Sequence, residues 1–114
     1  HLSAAQIRAL FPNSHAFVDR TGKGPKNLAR LKEILAKERA QGYASESGSV
    51  TLEHSSVAVA VFDHLGEPVA AINIVYRDST INRSDQQVLL AAVKDSAREL
   101  TRRLGGRLPS GIKD

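Results

Sequence analysis

The chain reads as blocks of apolar residues whose period changes from helical to extended and back. Ser3 precedes a short helical pattern over Ala4 to Leu10, with Ile7 and Leu10 on one side. Pro12 disfavours helix at Phe11 and ends it. Residues 12–25 read as a loop. Its Gly22-Lys23-Gly24-Pro25 lacks both the spacing and the preceding strand of a phosphate loop. Pro25 introduces a second helix, predicted to run to about Gln41. Leu28, Leu31 and Leu35 fall at i, i+3 and i+7, and Ile34 widens that stripe. Glu33 and Lys37 are spaced for an i, i+4 ion pair, and Gly42 is a natural stop.

After Gly42 the period shortens. Tyr43 to about Ser47 is predicted as a short strand, with residues 48–54 as a loop or bend. Residues 55–62, Ser-Ser-Val-Ala-Val-Ala-Val-Phe, carry apolar groups on both faces, as a central strand does. Asp63-His64-Leu65-Gly66 is turn chemistry, and Glu67 to Tyr76 forms the return strand. A polar loop over residues 77–83 leads to a last helix. Ser84 is predicted to cap it, with Gln87 completing a capping box. Leu90, Val93, Ala97, Leu100 and Leu104 mark its buried stripe. Gly105-Gly106 ends it, and residues 107–114 are expected to be a frayed tail.

A turn of residues 64–65 or 63–66 gives one hairpin register, in which paired residue numbers sum to 129 and Ser56 faces Asn73. Side chains alternate between the faces of a strand. One face then carries Val57, Val59, Val61 and Ile72, with Ile74 alongside, suited to packing on a long helix. The other carries Ser56, Ala58 and Ala60 with Asn73, Ala71 and Val69, and Val75 one step further. Asn73 is the polar exception in an apolar strand. A buried amide needs partners. Either Ser56 and Asn73 satisfy each other or face water while the alanines admit a helix, or these small and polar groups leave room for a polar small molecule.

Composition narrows the classes. With 114 residues, 41% hydrophobic and 25% charged, the chain suits one globular domain. It has no cysteine, which excludes disulfides, zinc–thiolate sites and cysteine catalysis. It also has no methionine and begins with His1, so it is expected to be a processed product or a fragment. The net charge of +4 is uneven. Residues 20–41 carry seven positive and two negative side chains, whereas residues 42–76 carry four negative and no positive ones. The bases are interleaved with acids on helices, and there are only five aromatics, a poor match to a nucleic-acid surface. His1, His15, His54 and His64 show no metal-ligand spacing, and no G-x-S-x-G elbow is present. Composition permits a Ser56–His54–acid triad, but nothing in the spacing supports it. No catalytic residue, metal or cofactor is expected.

The order Leu31-x-x-Ile34, Gly42-Tyr43-Ala44, Val57-Ala58-Val59-Ala60-Val61-Phe62-Asp63, Gly66-Glu67-Pro68-Val69-Ala70-Ala71-Ile72 and a closing helix ending Leu104-Gly105 resembles the IclR family of bacterial transcription regulators. The likeness is to the C-terminal part of their effector-binding domain. It covers about residues 25–106, and residues 2–11 are similar to the helix upstream of it. It implies an α+β fold, an antiparallel sheet flanked by helices as in GAF- and profilin-like sensor domains, with residues 1–106 as a partial domain. It also implies effector contacts at Glu46, Ser56, Asn73 and Val75. The last three lie on the sheet face that register had singled out.

The resemblance implies a cytoplasmic, non-enzymatic sensor of a small organic or aromatic acid that works as a homo-oligomer, a dimer or tetramer. It would contact DNA only through a winged helix-turn-helix that this chain does not contain, and would not contact a membrane. The alternatives are an oligomerisation module without ligand and a small-molecule enzyme.

Overall fold

The computed structural model describes residues 1–13, 16–17, 22, 24–48 and 51–109. Helix α1 (Ala4–Leu10) starts with a capping box: Gln6 N–H donates to Ser3 Oγ at 3.2 Å, and Ser3 N–H donates to Gln6 Oε1 at 2.8 Å. Helix α2 (Leu28–Gln41) starts later than Pro25 suggested, because Asn27 is the cap, its Oδ1 accepting from Arg30 N–H at 2.9 Å. Gly42, with φ 85°, supplies the left-handed residue that ends it. Strands β1 (Ala44–Ser47), β2 (His54–Phe62) and β3 (Pro68–Arg77) make one antiparallel sheet with β2 in the centre. A 3₁₀ turn at Asp78–Thr80 leads to helix α3 (Arg83–Arg103). His15 and residues 110–114 of the expected tail lie outside the described residues.

The hairpin register departs from expectation by two residues. Phe62 pairs with Pro68, so the loop has five residues, 63–67. Asp63 holds it: its Oδ1 accepts from Leu65 N–H at 2.9 Å and Glu67 N–H at 3.0 Å, and Gly66 turns at φ 75°. A bulge follows, since Val61 pairs with Ala70 and leaves Val69 over. Loop and bulge each move the pairing by one residue. Ser56 therefore faces Val75, and Asn73 faces Ala58. Two single-residue shifts preserve parity, so the side chains from Ala70 onward stay on their expected faces, while Pro68, before the bulge, pairs with Phe62 instead of Val61.

The core lies between the sheet and α3. Val57 and Val61 of β2 and Val93 and Ala97 of α3 are buried there; Phe62 is buried as well, its ring meeting His1 edge-on at 4.9 Å. Helix α3 is capped by Asn82, whose Oδ1 accepts from Asp85 N–H at 2.8 Å, two residues ahead of the expected Ser84 box. Its buried stripe is Val93, Ala97 and Thr101; Leu90 and Leu100 are half-buried and Leu104 is exposed. Thr101 is buried because Phe62 N–H donates to its Oγ1 at 3.2 Å beside the bulge. The helix closes in a Schellman arrangement, with Gly105 N–H donating to Arg102 O at 3.0 Å and Gly106 N–H to Thr101 O at 2.8 Å. A Cβ on Gly106 would sit 1.9 Å from Phe62 O, so only glycine permits this contact. Arg107 N–H then reaches Asp63 O at 3.0 Å, joining the end of α3 to the hairpin loop.

Candidate functional site

The sheet face away from α3 carries the four candidate residues in two rows. Glu46, Ser56 and Val75 lie opposite one another across β1, β2 and β3. Ala44, Ala58 and Asn73 form the next row, and Ala60 pairs with Ala71 beyond it. Ser56 donates its hydroxyl to Glu46 Oε1 at 3.0 Å. The expected Ser56–Asn73 pairing is thus replaced by Ser56–Glu46, and Asn73 is a diagonal neighbour of Ser56 within reach of one small ligand. Asn73 is exposed, as is Val75. The premise that Asn73 is a buried amide in need of partners is therefore corrected. The even-numbered positions of β2 from His54 to Ala60 are half-buried there, while the odd-numbered positions of β3, which share that face, stand open.

A groove of about 560 Å³ separates α2 from this face. Its floor includes Ala44, Glu46, Ser56 and Ala58, and its roof Leu31, Ile34, Arg30 and Lys37. The structure thus brings Glu46 and Ser56 into the groove, and leaves Asn73 and Val75 on the same face across β2, outside its lining. One bond pins α2 here: Ser45 N–H donates to Glu38 Oε2 at 2.9 Å. Past Glu38 the groove meets a smaller hollow of about 170 Å³ floored by Ala44, Ala58, Ala60 and Ala71. Four alanines on neighbouring strands make that floor low and apolar. Sequence pattern singles out the alanines and the polar pair. It misses the α2 cations, whose approach depends on how α2 docks.

A second cleft of about 500 Å³ lies between β1, β2 and the start of α3, and Glu46 and Ser56 at the sheet edge line it as well. Its polar groups serve one another: the buried Ser55 hydroxyl meets Asp78 and lies 3.0 Å from Ser47 Oγ. No triad forms at Ser56, because its hydroxyl goes to Glu46 and the His54 ring contacts Leu52 O at 3.1 Å. Among the described residues, no group of three metal-ligating side chains converges, and no helix is long and apolar enough to cross a membrane. The Glu99 carboxyl is drawn down to about 2 by hydrogen bonds from Arg102 and Arg103, but it lies on the exposed side of α3, away from both clefts.

An antiparallel three-stranded sheet with one long helix on one face and a lightly attached helix on the other defines an α+β sensor-type domain. The chain belongs to the family of bacterial transcriptional regulator IclR C-terminal domains, whose family model matches residues 1–102. Among solved structures it is similar to the Agobacterium tumefaciens repressor BlcR, at 26% identity and TM-score 0.81 over 91% of this chain and 42% of that one. It is similar to the Thermotoga maritima IclR, at 30% identity and TM-score 0.71 over 76% of this chain and 35% of that one. The C-terminal domain of the Escherichia coli transcriptional regulator KdgR shares the fold, at 20% identity and TM-score 0.81, over 91% of this chain and 63% of that domain. The chain thus spans less than half the length of BlcR and of the Thermotoga protein. No protein of curated function matches it by sequence. The expected family and the GAF-like α+β class are both met, and ligand sensing is the general role of such domains.

Proposed function

We propose that this chain is the effector-sensing part of a transcription regulator, and that the open sheet face takes a small organic or aromatic acid through Glu46, Ser56, Asn73 and Val75. The observation that carries this is the placement of all four on one face, three of them in a single row, beside alanines that leave room above the strands. Glu46 accepts, Ser56 and Asn73 both donate and accept, and Val75 offers an apolar wall. The mechanism is linkage. A ligand that prefers one state of the domain shifts the geometry of a DNA-bound homo-oligomer, and no chemistry on the ligand is needed. DNA contact belongs to other parts of the full-length cytoplasmic protein. This segment, with its acid-interleaved bases, makes no sequence-specific, salt-resistant contact of its own.

The test is Asn73→Leu in the full-length protein. Losing one hydrogen bond to a charged group costs about 1.5–3 kcal/mol, roughly ten- to a hundredfold in affinity. Calorimetric titration with candidate acids should show that loss, while unliganded operator binding and thermal unfolding stay near wild type because Asn73 is exposed. Unchanged acid affinity in the folded variant would remove Asn73 from the site. A ligand-dependent rise in melting temperature without turnover separates a sensor from an enzyme and from a ligand-free oligomerisation module.

A further inference from the structure

The four proposed contacts include one carboxylate and no cation. An organic anion bound there would meet an unfavourable field from Glu46 unless a positive group stood close by. Helix α2 brings two cations to the groove, Arg30 and Lys37, and two carboxylates, Glu33 and Glu38, of which Glu33 is held by Arg30 and Glu38 accepts from Ser45 N–H. The two cations are not equivalent. Helical spacing favoured a Glu33–Lys37 pair, but Glu33 is taken by Arg30, with Nη1 to Oε2 at 3.0 Å. Among the described residues Lys37 has no ion-pair partner.

The helix geometry explains why Lys37 faces the groove. Arg30, Ile34, Lys37 and Gln41 follow the i, i+4, i+7, i+11 spacing of one helix face, and all four line the groove. The Glu38–Ser45 bond fixes the rotation of α2 about its axis. We propose that Lys37 is the charge anchor for the ligand carboxylate, a specificity residue that selects organic anions over their neutral amides. The inference rests on the sheet face being the effector site. The chemistry of lysine fits this role, because a compact ammonium on a flexible stem can follow a carboxylate above the floor, whereas the Arg30 fork is already engaged. Holding that carboxylate also ties α2 to the sheet through the ligand.

The test uses the full-length protein and four probes: benzoate and pyruvate, with benzamide and pyruvamide as neutral counterparts. Wild type should bind at least one acid more tightly than its amide, and rising salt should shrink the gap. Lys37→Gln should lose ten- to a hundredfold for the acid, change little for the amide and lose the salt dependence; Lys37→Arg should restore most of the preference. Arg30→Gln should leave the acid preference near wild type. Should Lys37→Gln keep wild-type acid affinity while Asn73→Leu loses it, the anchor is overturned and the site stands. A wild type that binds none of the probes would overturn both.

Discussion

The two faces of the sheet are built to different ends. On the α3 face, Val61 and Ala97 are fully buried, Val57 retains 7% exposure, and a buried threonine accepts from the Phe62 amide beside the bulge. On the α2 face, the sheet positions shrink to alanine and serine, α2 itself has no buried residue, and Val75 remains 60% exposed. A face with a buried core resists change, whereas a face with a groove and a lightly held helix can take a ligand and move. Stability and responsiveness are thus assigned to opposite sides of the same three strands, which the alternation of strand side chains allows.

Substitutions that probe this contrast differ widely in expected size. Val61→Ala should cost about 2–4 kcal/mol in urea unfolding, since Val61 is fully buried on the α3 face. A loss below about 1 kcal/mol would mean the α3 face is not the stabilising one. Thr101→Val keeps the shape but orphans the Phe62 amide, and should cost about 1–3 kcal/mol.

A smaller effect is expected at the hairpin loop. Backbone hydrogen bonds from Glu67 and Leu65 hold the Asp63 carboxyl below its ordinary value. Its contribution is therefore complete above about pH 4 and is lost as pH falls through the lowered folded value. The urea midpoint should drop on acidification in wild type and drop less in Asp63→Asn. Glu99, held near 2 by Arg102 and Arg103, adds the same sign to both proteins and cancels in that comparison. The smallest change should come from Val75→Thr on the open face, within about 0.5 kcal/mol of wild type. A larger cost would show that this face is packed after all.

Much of this contrast is legible in sequence. The β-branched run Val57, Val59, Val61 against the alternating Ser56, Ala58, Ala60 states which face packs and which stays low. Parity protects that reading even though the pairing moved by two residues: the five-residue Asp63 loop and the Val69 bulge each shift it once. What sequence could not supply was set by tertiary geometry. Asn82 outcompetes Ser84 because the 3₁₀ turn after β3 delivers the chain to α3 earlier. Thr101, not Leu104, is buried because the Phe62 amide needs an acceptor. Asn73 is exposed because the open strand face around it is bare. Lys37 reaches the groove because Glu33 turns to Arg30 and Glu38 pins α2 to β1.

The central claim, that ligand enters on the α2 face, is tested most directly by hydrogen exchange on the full-length protein with and without a bound acid. Amides of residues 28–47, covering α2 and β1, should gain protection on binding, while those of 83–103 in α3 should change little. Protection gained at the start of α3 and around Asp78, with α2 unchanged, would place the ligand in the second cleft and contradict the account.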